Sequence, residues 1–251
     1  MSAPIISVLI PAKDEENNLT ALLDEVEIAL HQLFYEVIVV DDGSCDNTYE
    51  VLTRYSSTHP CVRLIRHEVS AGQSTAIWVA AQQARGQWLA TLDGDGQNDP
   101  ADIPGMLRLG GEKDVDMVAG HRIDRRDTAF KRFSSKIANT VRAALLKDNT
   151  PDTGCGTKVF RRSAFLRLPY FDHMHRYLPA LIQGQGGICI SCPVNDRSRR
   201  SGCSHYGLNN RLWAGIIDLF GVMWLTHRSK LPTAQLPVGE SVTRILKSNR
   251  Q

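Results

Sequence analysis

The sequence has little net charge, no long apolar run and no second CxxC pair. With 29 basic and 27 acidic residues, its formal net charge is +2. A protein that grips a large nucleic-acid phosphate footprint is usually far more basic, so no nucleic-acid partner is expected. The most apolar run, Leu212 to Leu225, is interrupted by Asp218, and a spanning helix needs ~20 predominantly apolar residues. The chain is therefore expected to lie on a membrane at most, not to cross one. Met1 to Ile10 lacks a basic n-region and leads directly into a strand-like run, so no export signal is expected. The six cysteines, Cys45, Cys61, Cys155, Cys189, Cys192 and Cys203, are scattered. Without export they read as reduced thiols. Cys189 and Cys192 have CxxC spacing, but a zinc ribbon needs a second such pair, which is missing. Neither GxGxxG nor the P-loop pattern GxxxxGK followed by Ser or Thr occurs, which argues against NAD and against a P-loop NTPase.

What is present is an ordinary globular composition, 42% hydrophobic and 22% charged over 251 residues. That length can bury a sizeable core. The charge is placed unevenly. Arg122 to Arg142 carries Arg122, Arg125, Arg126, Lys131, Arg132, Lys136 and Arg142 against only Asp124 and Asp127, and Arg197, Arg199 and Arg200 form a second cluster. Such patches can receive an anionic ligand although the total is balanced.

Along the first half, strand and helix patterns alternate. Ile5–Ile10, Glu36–Val40, Val62–Ile65, Trp88–Leu92 and Val115–Ala119 read as buried strands. Helical patterns separate them at Asn18–Leu30, from near Asp46, at Gly72–Ala84 and at Pro100–Leu109. Continuous apolar strands with intervening helices predict an α/β fold with a mostly parallel central sheet and helices on both faces. In the second half, Ala129–Leu146 reads as an amphipathic helix and Thr157–Arg161 as a strand. Short helices follow at Ser163–Leu168 and His173–Gln183, then a strand at Ile188–Val194 and an apolar helix at Trp213–Leu225. This organisation predicts one unit over 1–225 and a polar tail over 226–251.

In such a sheet the ligand sits beyond the carboxyl ends of the strands. Three polar clusters fall there: Pro11–Asn17, Asp41–Ser44 and Asp93–Gln97. In Asp93-Gly94-Asp95, carboxylates two residues apart point the same way from an extended chain. Carboxylate oxygens suit Mg²⁺ or Mn²⁺, which would bridge to a diphosphate, and Gln97 continues the alternation as a further oxygen ligand. An acid at the end of the second strand, Asp41 or Asp42, can accept from a ribose or a base N–H. The same loop also reads as a turn with Gly43 at positive φ and Asp46 as helix cap. Lys13 to Asn17 can border the same nucleotide, or simply begin a helix.

Taken together, Pro11-Ala12-Lys13-Asp14-Glu15-Glu16-Asn17, Asp41-Asp42-Gly43-Ser44-Cys45-Asp46-Asn47-Thr48 and Asp93-Gly94-Asp95-Gly96-Gln97 resemble the inverting GT-A glycosyltransferases of family 2. Gly120-His121-Arg122, Lys131 to Asn139, Asp152-Thr153-Gly154-Cys155-Gly156, Arg176 to Ala180 and Ser204-His205-Tyr206-Gly207 look like the polyprenyl-phosphate branch, which contains dolichol-phosphate mannose synthase and the undecaprenyl-phosphate formamidoarabinose transferase. The resemblance implies a Rossmann-like GT-A fold. It places Pro11, Lys13, Glu15, Asp41, Asp42 and Gln73 around the nucleotide-sugar donor. Asp93, Asp95 and Gln97 fall to metal and diphosphate. Arg122, Lys131 and Ser135 face the acceptor phosphate or donor diphosphate, with Arg197 and Arg199 closing over the phosphates. The chain departs from the branch at His205, where Lys is common, at Asp196, where His is common, and at Lys131, where Arg often sits, although Arg132 follows.

The implied chemistry is direct displacement at the anomeric carbon by a polyprenyl phosphate, with a nucleoside diphosphate leaving. A phosphate monoester with second pKa near ~6 needs no strong general base at pH 7, in keeping with the lack of a Ser/His/Asp or Cys/His constellation. The helix from Trp213 would touch the bilayer, pack in the core, or do both with different faces. The implied location is cytoplasmic, peripheral at the inner face of the cytoplasmic membrane. Alternatives are a family 2 transferase with a soluble glycan acceptor and a nucleotide-sugar binding module without turnover.

Overall fold

A computed structural model of the chain describes residues 3–123, 142, 145, 146, 148, 150–197 and 208–228. Seven strands form one sheet in the order β3-β2-β1-β4-β6-β5-β7. They are β1 (Ile6–Ala12), β2 (Tyr35–Asp42), β3 (Val62–His67), β4 (Trp88–Thr91), β5 (Met117–Arg122), β6 (Lys158–Arg161) and β7 (Cys189–Val194). Strands β1 to β4 pair in parallel. β6 lies antiparallel between β4 and β5, and β7 returns parallel on β5.

The strands are apolar on both sides because both faces are covered. One face packs Val8, Ile10, Val37, Val39 and Val159 against Leu22, Leu23 and Val26 of α1 (Leu19–Leu30), Leu52 of α2 (Thr48–Thr58) and Met106 of α4 (Ile103–Glu112). The other packs Leu9, Ile38, Val40, Leu89 and Phe160 against Ala76, Ile77 and Ala80 of α3 (Gln73–Gln83). Also on that side are Phe165 of α5 (Arg162–Phe165), Leu181 of α6 (Leu178–Gly184) and Val222 of α7 (Leu208–Arg228). Each fully buried Leu, Ile or Phe contributes about 1.5–3 kcal/mol, so the strands are held from both sides and their carboxyl ends form a rigid rim.

The expected α/β architecture is present, with local differences. The stretch expected as one helix over His173–Gln183 is a 3₁₀ turn, Met174–Arg176, followed by α6. His173 is left-handed, at φ 63°, and Pro179 sits in the first turn of α6, where its missing N–H costs nothing. The apolar helix is longer at both ends than Trp213–Leu225. Of the Ala129–Leu146 helix only Arg142, Leu145 and Leu146 fall among the described residues, and these are helical. The described cysteines, Cys45, Cys61, Cys155, Cys189 and Cys192, are free thiols.

Candidate functional site

The register Ala12↔Asp41 brings the ends of β1 and β2 level at the rim, and the loops that follow are laced together. Asp14 N donates to Ser44 Oγ at 3.0 Å and Cys45 N to Asp14 Oδ1 at 2.7 Å. Glu15 N donates to Thr48 Oγ1 at 2.9 Å, and Asn47 donates twice to Glu16 Oε2. Gly43 has φ +66°, and an added Cβ there would meet Ser70 N at 2.8 Å, so only glycine fits. Asp46 Oδ1 accepts from Thr48 N at 2.9 Å, an Asx turn, so the turn expected here is present, while the N-cap of α2 is Asn47 and not the expected Asp46. Lys13 is exposed and Pro11 half-buried at the same rim.

The two neighbouring acids of β2 have different environments. Asp42 is saturated: its oxygens accept from His67 Nδ1 (2.6 Å), Ala71 N (2.9 Å), Ser70 Oγ (2.8 Å) and Gly72 N (2.8 Å). Burial pushes its pKa up, but those hydrogen bonds outweigh burial and hold the carboxyl below its usual range. Asp42 therefore shapes the loop that leads into α3. Asp41 accepts from Ser44 N at 3.1 Å through Oδ1, while Oδ2 is buried, has no hydrogen bond among the described residues and lies 3.4 Å from Arg66 Nε. Arg66 in turn rests over the Tyr49 ring.

Asp93, Gly94 and Asp95 directly follow β4. Gln73, the first residue of α3, donates Nε2 to Asp93 Oδ1 at 2.7 Å. Asp93 N donates to Asn98 Oδ1 at 3.0 Å and Gln97 N to Asp95 Oδ1 at 3.1 Å. Asp95 is buried. Burial first, then the negative charge of Asp95, raise the Asp93 pKa, against the pull of Lys158, Arg122 and Gln73. Gly94 abuts Pro11 O, 3.2 Å from where a Cβ would stand, and Glu15 Cγ. The acidic turn is thereby seated on the Pro11–Glu15 loop. At Gly156 an added Cβ would run into the Asp93 carboxylate and Asn98 Oδ1.

The basic side of the crevice stands one strand away. Arg122, at the end of β5, donates two hydrogen bonds to Asp152: Nε to Oδ2 at 2.7 Å and Nη2 to Oδ1 at 3.0 Å. Burial alone would lower the guanidinium's pKa, but the Asp152 carboxylate outweighs it and holds it above the ordinary arginine range. Lys158, the first residue of β6, is buried and donates Nζ to Cys155 O. Its pKa is lowered by burial, against the opposing pull of Cys155, Asp93 and Asp152. Thr91, paired in register with Lys158, donates to Gly156 O at 2.7 Å. Together these bonds fix the floor of the 152–156 loop beside Asp93.

Arg197 lies at the rim with its guanidinium engaged by Glu25 and Asp99, each at 2.6 Å. Its backbone N donates to Gln97 O at 3.0 Å, and Asn98 bridges Asp196, so this segment is strapped to the acidic turn. Lys131, Ser135, Arg199 and His205 lie outside the described residues. The structure thus brings together Pro11, Glu15, Asp93, Asp95, Gln97 and Gln73, with Arg122 across β6. Sequence reading assigned no role to Asp152, Lys158, Asn98 or Gly156. The available signal was a lone lysine opening an otherwise apolar strand, and an acid within the Asp152–Gly156 loop.

The fold and rim define an α/β domain with a carboxylate-bearing crevice flanked by buried cations. Residues 7–168 match the model of Glycosyl transferase family 2. The chain is 30% identical over 233 residues to a dodecaprenyl-phosphate galacturonate synthase of Rhizobium johnstonii, covering 90% of this chain and 69% of that one. It is 31% identical over 207 residues to an undecaprenyl-phosphate 4-deoxy-4-formamido-L-arabinose transferase of Serratia proteamaculans, covering 81% of this chain but 63% of the relative. Among solved structures, a mannosyltransferase of Pyrobaculum calidifontis in complex with GDP-Man and Mn²⁺ superposes with TM-score 0.68 at 20% identity, covering 99% and 70% of the two chains. Glucosyl-3-phosphoglycerate synthase of Mycobacterium tuberculosis, in complex with Mn²⁺ and UDP, gives TM-score 0.65 at 17% identity, covering 93% and 83%. The chain belongs to glycosyl transferase family 2, and the GT-A fold expected from its motifs is the fold it has.

Proposed function

We propose that this chain transfers a sugar, with inversion, from a nucleoside-diphosphate donor to a polyprenyl phosphate, assisted by Mg²⁺ or Mn²⁺. The carrying observation is the pairing of the Asp93–Asp95 turn with the Arg122–Asp152 clamp across a single strand. One half suits a metal-bound diphosphate and the other an incoming phosphate. The names of the Rhizobium and Serratia relatives support the lipid acceptor, and the Mn²⁺ complexes of the structural neighbours support the metal.

The donor set fits a divalent ion shared with substrate. Among the described residues no three His, Cys, Asp or Glu side chains converge as a cage, and Mg²⁺-type sites commonly use one or two carboxylates plus phosphate oxygens. Asp93 and Asp95 hold the ion, with Gln97 beside them, and the space kept clear by Gly156 adjoins the Asp93 carboxylate. When bound, the metal neutralises charge developing on the leaving diphosphate. Gln73 orients Asp93. Pro11, Lys13, Glu15 and Asp41 border the nucleoside, and Asp42 holds the loop before α3 against it. Arg122, with Lys131 and Ser135, receives the acceptor phosphate. Arg199 closes over the phosphates, and Arg197 joins it by exchanging Glu25 and Asp99 for phosphate oxygens.

No described helix is long and apolar enough to cross a membrane. α7 is two-faced, with Val222 buried and Ile217, Phe220 and Trp224 at 68%, 61% and 61% exposure. That outer face lies on the bilayer surface in this reading, with the protein peripheral at the inner face of the cytoplasmic membrane. The catalytic unit is 1–225 and the remainder a polar tail.

The test is a screen of UDP- and GDP-sugars with purified protein, Mn²⁺ and undecaprenyl phosphate, read as nucleoside diphosphate release. Release that requires the lipid phosphate supports the proposal. Release with water-soluble glycans instead would replace the acceptor. A biological effect that survives Asp95→Ala would make the protein a binding module.

A further inference from the structure

Strand β6 opens with a lysine in a place built for an apolar side chain. Lys158 pairs with Thr91 on β4 and Ala119 on β5, and it is 4% exposed. An ammonium carries three donors, and among the described residues Lys158 makes one hydrogen bond, to Cys155 O. A buried charge must be paired or it is very costly. The titratable groups that act on it are Cys155, Asp93 beyond β4, Asp152 from the loop before β6, and Arg122 at the end of β5. Asp93 is two residues beyond Thr91, in the turn that follows β4. Gly156, one residue after the carbonyl that Lys158 holds, lies against Asp93 Oδ2. Arg122 is already committed to Asp152 through two bonds, and of the two cations Lys158 acts the more strongly on Asp93.

This arrangement bears on how a divalent ion enters. With two protein carboxylates and a buried ammonium behind them, a bare cation meets a partly neutralised site. A nucleoside diphosphate adds the negative charge and oxygens that the protein lacks. We propose that Lys158 is a positioning residue, a resident counter-cation for Asp93 and Asp152, which makes divalent-metal binding at Asp93–Asp95 conditional on nucleoside diphosphate. The idea rests on the donor-site reading above.

The experiment measures Mn²⁺ binding by electron paramagnetic resonance of the free ion, without nucleotide and with UDP or GDP. Wild-type protein binds Mn²⁺ weakly alone and at least about tenfold more tightly with one of the nucleotides. Lys158→Met and Lys158→Gln bind Mn²⁺ alone about tenfold more tightly than wild type, and the nucleotide enhancement shrinks. Lys158→Arg keeps the charge and behaves as wild type. Gln retains an N–H for Cys155 O, so it serves if Met does not fold. Neutral variants that bind the bare ion no more tightly, while nucleotide still tightens it in wild type, overturn the role of Lys158 and leave the donor site standing. Wild type that binds Mn²⁺ equally with and without nucleotide overturns it without any variant. Absence of Mn²⁺ uptake under every condition overturns both readings.

Discussion

Arg122 and Asp152 face each other through two parallel bonds, Nε to Oδ2 at 2.7 Å and Nη2 to Oδ1 at 3.0 Å, although 30 residues separate them. Asp152 is almost wholly buried and Arg122 largely so. Truncating one partner of a buried pair leaves the other charge uncompensated, at a cost of about 3–5 kcal/mol. Arg122→Ala and Asp152→Asn should therefore both slow transfer to lipid phosphate, by roughly 10²-fold if the guanidinium acts electrostatically on the reacting phosphates. Donor affinity by calorimetry should stay near wild type. Equal loss of donor affinity would move the pair to the donor half.

Gly156→Ala probes the other half. The new methyl has no room beside the Asp93 carboxylate and Asn98. Asp93 should be displaced from Gln73, and metal-dependent donor binding should fall at least about tenfold, since a misplaced ligand costs on that scale. Asp93→Ala and Asp95→Ala should abolish that binding. Calorimetric titration of donor with Mn²⁺ reads all three, and an unchanged isotherm for the Asp variants would remove the site.

The opposite end of the sheet supplies a pH prediction. Glu36 is 2% exposed and accepts from Ser7 Oγ, Arg85 N, Arg85 Nε and Nη2, and Arg63 Nη1. Burial raises its pKa, but the bonds from Arg85, Ser7 and Arg63 outweigh burial and lower it. A depressed folded pKa means stability that is present above the unfolded value, ~4.3, and lost as pH falls through the folded one. Glu36→Gln should cost about 2–3 kcal/mol at neutral pH, and the gap to wild type should close on acidification below pH ~4. Urea melts across that range decide it; a pH-independent gap would refute the assignment.

Replacing Ile217, Phe220 and Trp224 by Ser should reduce association with vesicles containing undecaprenyl phosphate. It should leave the melting temperature within a few degrees, because these side chains are exposed. Full retention in a flotation assay would refute a membrane role for that face.

Much of the fold was legible because local pattern and tertiary context agree. Val8, Ile38 and Leu89 sit in continuous apolar runs, and the DxD turn follows one of them. Gln73 and Asp93, both expected at the donor site, touch. What stayed hidden depends on contacts far apart in sequence. Asp42 looked like a ligand contact, yet its partners come from His67 to Gly72. Arg197 looked free for phosphate, yet Glu25, 172 positions away, holds it. Lys158 read only as part of a strand-like stretch, because nothing local announces that β6 runs backwards between β4 and β5.

That reversed strand has an evolutionary corollary. β5 leaves the sheet at the crevice and β6 re-enters it at the crevice, so the chain between Ile123 and Thr157 departs from and returns to the same rim. Short of its closing Asp152–Gly156 loop, which abuts Asp93, it can change in length or sequence without shifting any strand that carries the acidic turn. Acceptor preference can thus diverge within that excursion while donor handling stays constant, and exchanging the part before Asp152 between relatives is the simplest route to a transferase with a new acceptor.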